Sequence, residues 1–177
     1  MGLYIYRLEG AALLDASMYE GIESDRSVSL QAAATVVLSS LATGIGSTTW
    51  FGWHPLAIVT VTGIALLTWV AWAALMFQIG TRILPERTTQ TNLGELLRTT
   101  GFAAAPGMLQ LLAVLPNIAT PVFVVTSLWM FLAMVTAIKH ALDFQSTWRA
   151  LAVCAIGAGL CLSVAVALGL MLTRVAA

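Results

Sequence analysis

PLAIVTVTGIALLTWVAWAALMFQIG, residues 55–80, carries no charged side chain, and Arg82 and Arg87 follow it closely. About 20 apolar residues of helix cross the hydrocarbon core of a bilayer, so this stretch is long enough to span one. Four more such runs flank it: Ser27–Ser47, Leu96–Leu115, Ile118–Ile138 and Thr147–Thr173. The gaps between the five runs alternate. The one holding Arg82 and Arg87 is basic, as is the one from Lys139 to Arg149, whereas Trp50–His54 and Pro116–Pro121 hold no lysine or arginine. Cationic residues are retained on the cytoplasmic side, so the alternation predicts an all-α membrane bundle of five spans, N-terminus inside and C-terminus outside. In that topology Arg7, Arg26, Arg82, Arg87, Arg98, Lys139 and Arg149 face inward with all eight acids. Only Arg174 is left outside.

Composition agrees with a bilayer as solvent. Only 9% of the 177 residues are charged, where a soluble domain has about 25%. Five spans use about 100 residues, which leaves a cytoplasmic segment, residues 1–26, and a membrane domain, residues 27–173. A formal net charge of zero gives no reason to expect nucleic acid as a partner. Arg7 and Glu9 precede no short cleavable apolar segment, so no signal peptide is expected. Cys154 and Cys161 lie on one face of the last run, too far apart to bridge. Small apolar packing is their ordinary reading, against a redox or metal role.

The segment Leu3–Ile22 sets Leu8, Ala11, Met18 and Ile22 on one side at helical spacing, with Glu9 and Glu20 opposite and Arg7 and Asp15 at the edge. This predicts a short amphipathic helix on the membrane surface or against the bundle. Ser27 is placed to cap the first span. That span is rich in small residues (Ala32, Ala33, Ala34, Ser39, Ser40, Gly44 and Gly46), which let helix backbones approach closely in lipid. It is expected inside the bundle. The second span, with Trp69, Trp72 and many β-branched residues, is expected to be partly lipid-exposed, and Trp50 and Trp53 sit at the outer headgroup level.

The third run is the shortest, and Arg98 is expected to snorkel from it towards the cytoplasmic interface. A re-entrant hairpin is the competing picture. It would send Lys139, His140, Asp143 and Arg149 outside, against the charge pattern. Pro106 has no amide proton, so it frees the Phe102 carbonyl and should kink this span. Gly101, Ala103, Ala104, Ala105 and Gly107 leave room there for a facing helix. Packing is the default account of that feature, and a hinge or pathway is the alternative.

No carboxylate stands at bilayer depth, where a proton- or ion-coupled carrier usually keeps one. No serine, cysteine or histidine is placed beside a base. No catalytic residue, metal ligand or cofactor is therefore assigned, and the chain is not expected to be an enzyme. His54 reads as a solvated interfacial histidine, and the sequence names no partner for His140. On the inner side Lys139 and Asp143 are four apart on one helix, Glu95 and Arg98 begin the third span at the same depth, and Arg149 begins the fifth. Ordinary juxtamembrane charge anchoring the helix ends is one reading. A polar cluster that locks spans three, four and five together, or receives a partner, is the sharper one.

The same residues carry a resemblance. Gly101-Phe102-Ala103-Ala104-Ala105-Pro106, Trp129, and Ala137-Ile138-Lys139-His140-Ala141-Leu142-Asp143 running into Arg149-Ala150 are similar to the Yip1-domain membrane proteins in their short bacterial form. So are Tyr19-Glu20-Gly21-Ile22-Glu23-Ser24-Asp25, Gln31-Ala32 and Gly44-Ile45-Gly46, and the likeness covers residues 15–170 or so. It implies a five-span bundle with a cytoplasmic N-terminus, in the bacterial inner membrane. Eukaryotic relatives are implicated in vesicle traffic, where they bind prenylated small GTPases, coat components or one another. Those proteins have an extended cytoplasmic N-terminal region, whereas 26 residues precede the first run here. No GTPase-contact motif maps onto them, so GTPase binding is not expected.

The expectation is a non-enzymatic scaffold, assembly or trafficking-type factor. It would bind the lipid bilayer, other membrane proteins or itself through helix faces. Gly101, Phe102, Pro106, Trp129, Lys139, Asp143, Arg98 and Arg149 are the structural or partner-binding candidates. The alternative is a carrier or channel for a small solute or lipid, with a water-accessible path beside Pro106 lined by Gln110 and neighbouring threonines.

Overall fold

The computed structural model describes residues 2–85, 91–115 and 117–176, and among these every regular element is helical. Arg87, Pro116 and the side chain of Arg174 lie outside the described residues. Where the sequence predicts one amphipathic helix there are two, α1 (Gly2–Ala12) and α2 (Ala16–Ser24). The break is local in origin. Leu14 is left-handed at φ 63°, and the amides of Leu14 and Asp15 donate back to Ala11 and Gly10 at 3.2 and 3.0 Å. These are the paired bonds of a Schellman ending. Asp15 then opens α2 by accepting from the Ser17 amide at 2.9 Å. The apolar arc survives the break, because Ala11 and Ile22 are fully buried and Leu8 and Met18 half-buried.

A 3-10 turn, Arg26–Val28, leads into α3 (Ser29–Gly46). Its cap is Asp25, whose carboxylate accepts from the Ser27 amide at 2.9 Å, and not Ser27 as the sequence suggests. Short α4 (Thr48–Phe51) precedes α5 (Pro55–Gln78), which begins on Pro55 and continues as a π turn, Ile79–Ile83. Proline suits the first helical position because its missing amide would be unpaired there anyway. Then come α6 (Leu93–Ala103), a 3-10 helix (Ala105–Val114), α7 (Ala119–Ala141) and α8 (Thr147–Ala176).

Among the described residues three helical runs are long and apolar enough to cross a membrane: Arg26–Phe51, Pro55–Ile83 and Ala119–Ala141. Thr147–Cys161, at the start of α8, is apolar but shorter. The third run of the sequence is not one α-helix. α6 stops at Ala103, and Pro106 falls in the first turn of the ten-residue 3-10 helix that follows. The expected kink is therefore a change of helix type. A 3-10 helix is tighter than an α-helix, and α3 closes right up to this one. A Cβ added at Gly46 would overlap the Gln110 carbonyl, and one at Gly107 would overlap the Ser39 hydroxyl. Thr43 hydrogen-bonds the Gln110 side chain, and Thr49 donates to the Ala113 carbonyl at 2.6 Å.

Contacts fix which ends lie together. Arg98 meets Ile22, Arg149 meets Pro85, and a Cβ on Gly80 would strike Leu142, so these turns share one end of the bundle. Thr49 with Ala113, and Trp50 with Phe123 at 4.8 Å between ring centroids, mark the other. The largest fully buried side chains, Tyr19, Phe102, Ile22, Met76, Leu96 and Ile138, gather towards the first end. There the α1–α2 hairpin packs on α6 and α7.

Candidate functional site: a polar cavity where α2, α6 and α7 meet

Arg98 is the pivot of this end. A capping box starts α6: Asn92 Oδ1 accepts from the Glu95 amide, and Glu95 Oε2 accepts from the Asn92 amide, both at 3.0 Å. One turn further on, the Arg98 side chain runs beneath α2 and is only 6% exposed. It is covered by α2 and not free at the surface. Its Nε donates to the Ile22 carbonyl at 3.3 Å, and Nη2 donates to that of Glu23. Both carbonyls belong to the last turn of α2, where a helix leaves acceptors unpaired and carries partial negative charge. A guanidinium there satisfies the acceptors and the helix dipole together.

Asp143 and Lys139 read as a pair on one continuous helix, but α7 ends at Ala141 and Asp143 stands beyond it at φ 52°. The Asp143 amide donates to His140 at 3.0 Å and the Phe144 amide to Lys139 at 2.9 Å, a second Schellman ending. That turn swings Asp143 over a cavity of about 440 Å³ lined by Glu20, Glu23, Lys139, His140, Phe144 and Gln145 as well. Arg149 is placed elsewhere, donating to the Pro85 carbonyl at 3.5 Å beside the α5–α6 connection. Of the five charges grouped by sequence, the structure brings Lys139 and Asp143 to the cavity and sets Arg98 beneath α2. Glu95 serves as the cap of α6.

The residues missed by sequence reasoning are Glu20, Glu23 and Tyr19, all supplied by α2. His140 Nδ1 lies 3.6 Å from Glu20 Oε1, and its ring stacks on Tyr19 at 6.3 Å with planes 7° apart. The buried Tyr19 hydroxyl donates to the Ala11 carbonyl at 3.0 Å, and burial holds its phenol well above the usual range. Glu23 is pushed up to about 7. Burial is the largest cause, followed by the carboxylates of Asp143 and Glu95; Arg98 pulls the other way. Among the described residues no three of His, Cys, Asp and Glu are grouped as a metal ion would require.

The remaining candidates serve contacts within the chain. Gly101 lies against Ala32 of α3, where an added Cβ would sit 2.9 Å from the alanine methyl. Fully buried Phe102 meets the Tyr4 ring edge-on, with centroids 6.2 Å apart. Trp129 Nε1 donates to the Ala12 carbonyl at 2.7 Å, tying the end of α1 to the middle of α7. Pro106 is buried at the change of helix type. A second space, about 450 Å³ and almost wholly apolar, opens between α3, α5 and α7, with Thr43, Trp69, Trp72, Met130, Phe131 and Met134 among its walls. Gln110, which the carrier alternative sets along a path, is buried and bonded to Thr43.

The family model described as Yip1 domain matches residues 16–168 of the 177-residue chain. No curated protein and no solved structure matches it.

Proposed function

The chain belongs to the Yip1 domain family, and from that premise we propose that it is a non-enzymatic scaffold or assembly factor of the bacterial inner membrane. In this reading it binds lipids, other membrane proteins or further copies of itself through exposed helix faces. The observation that carries it is α5. The window of highest hydropathy in Pro55–Ile83 averages 2.0, yet only 6% of it is buried within the chain. Such a helix keeps few residues fully buried and turns a broad apolar face to lipid or to another membrane helix.

The reading includes five spans. Eleven residues of α6 and ten of 3-10 helix rise about 36 Å together, enough for a ~30 Å core. With α8 as the fifth, the end bearing Arg98, Lys139 and Arg149 is cytoplasmic, which agrees with the positive-inside bias. A reporter fused at the C-terminus should be active outside the cytosol, and cytosolic activity would reverse the topology.

Scaffolding is tested by crosslinking in intact membranes, followed by affinity capture in mild detergent. A reproducible partner protein, self-adduct or lipid class is expected; a bare monomer with none of them refutes it. The apolar space between α3, α5 and α7 favours a second reading, a carrier for a small solute or lipid. Thiol accessibility at single cysteines replacing Thr43, Thr68, Ser127 and Met130 in its walls separates the two, since uniformly unreactive positions eliminate a path there.

A further inference from the structure

The α1–α2 hairpin is held at two points. Trp129 grips the Ala12 carbonyl at one end, and Arg98 grips the carbonyls of Ile22 and Glu23 at the other. Between α2 and α7 lies the polar cavity, with the Glu23 carboxyl on its wall. The charged and titratable groups facing Glu23, among the described residues, come from every element around it. They are Glu20 on α2, Glu95 and Arg98 on α6, Lys139 and His140 on α7, and Asp143 in the turn beyond α7. Three carboxylates therefore surround a fourth. Arg98 Nε and Nη2 are committed to main-chain carbonyls. Its charge and that of Lys139 on the cavity wall offset the crowding only in part.

We propose that the hairpin is a proton-set clamp: with the Glu23 carboxyl protonated α2 stays seated on α6 and α7, and ionisation lets the carboxylates of Glu95 and Asp143, which lie outside the hairpin, push it off. The cavity supplies the space into which the end of α2 can move. Unseating exposes Arg98 and the buried junction beneath α2, so the shape of this face follows the pH at this end of the bundle. The inference stands on the hairpin alone and does not require the scaffold reading.

The sign follows from linkage. Glu23 has its ordinary value near 4.5 when free and about 7 when seated. The seated state therefore binds the proton more tightly, is fully favoured below the free value, and weakens as pH rises through 7. Because Glu23 is partly exposed, screening reduces the effect, and we expect about a tenfold change in the opening equilibrium between pH 5.5 and 8.

Hydrogen exchange on the full chain in lipid nanodiscs, corrected for the intrinsic pH dependence of amide exchange, measures that equilibrium directly. Amides of Ala16–Ser24 should be about tenfold less protected at pH 8 than at 5.5, while those of α5 do not change. Glu23→Gln should remove the difference and His140→Gln should leave it. Equal corrected protection of the wild-type hairpin at both pH values overturns the clamp. So does a pH dependence that survives Glu23→Gln, or one that only His140→Gln abolishes.

Discussion

α3 and α5 are both long apolar helices, yet they occupy opposite situations. The Arg26–Phe51 run has mean hydropathy 1.6 in a window that is 44% buried, and the Pro55–Ile83 run has 2.0 in a window that is 6% buried. The more hydrophobic helix is the more exposed one, the reverse of a soluble domain. The reason is that lipid tails are as apolar as leucine, so burying leucine against another helix gains little there. What favours the interior is close backbone approach and hydroxyl bonding. Accordingly α3 buries Thr35, Ser39, Ser40, Gly44 and Gly46, while α5 turns Leu56, Val59 and Leu67 outward. Hydropathy says that a helix belongs in the membrane; side-chain size says where in the bundle it sits.

The sharpest way to break that contrast is to place the same bulk on both helices. Gly46→Leu drives a side chain into the Gln110 carbonyl, where backbone must move. Overpacking of this kind costs roughly 3 kcal/mol. A Cβ added at Gly63 on α5 meets nothing within 4 Å, so Gly63→Leu starts into open space. Reversible unfolding in mixed micelles should show Gly46→Leu strongly destabilised or unfolded, and Gly63→Leu close to wild type. Equal losses would mean that α3 is not the interior helix.

A smaller effect is expected from the hydroxyls. Thr43→Val on α3 removes the bond to the buried Gln110 side chain, at about 1 kcal/mol for a hydrogen bond in this setting. Thr68→Val on the exposed side of α5 should change stability by less than about 0.5 kcal/mol. The same unfolding measurement compares them, and a larger loss at Thr68 would reverse the assignment of faces.

Much of this was legible in the sequence because it depends on composition within one helix. The small residues of α3, the tryptophans and β-branched residues of α5 and the arc of Ala11 and Ile22 all declare their burial locally. Other features left a signal that pointed to a place but not to an outcome. Asp15 reads as a flaw in the amphipathic pattern of one helix, yet it is the cap of a second. Pro106 marks where α6 must change, but nothing in its neighbours announces ten residues of 3-10 helix. The polar junction was the least legible part. Arg98 reaches carbonyls 75 and 76 residues away in the chain, and main-chain acceptors have no sequence signature. Glu20 and Glu23 look like ordinary surface acids until α2 is laid against α7. Asp143 was placed by counting along a helix that ends two residues before it.

The finest test of the contrast concerns neighbours on one helix. Gly44 of α3 faces Thr62 so closely that an added Cβ would overlap the threonine hydroxyl and crowd the Ile58 carbonyl at 2.9 Å. The next residue along α5, Gly63, faces open space. The boundary between packed and lipid-facing surface thus passes between two adjacent residues. Gly63→Ala should be neutral or gain up to about 0.8 kcal/mol, since alanine loses less chain entropy than glycine in a helix. Gly44→Ala should lose stability, because the atoms its methyl would meet include backbone that cannot swing away. If Gly63→Ala instead loses as much as Gly44→Ala in native membranes but not in dilute detergent, then Gly63 is packed against something that one chain does not contain. That outcome would locate on α5 the surface through which a partner helix or a second copy is bound.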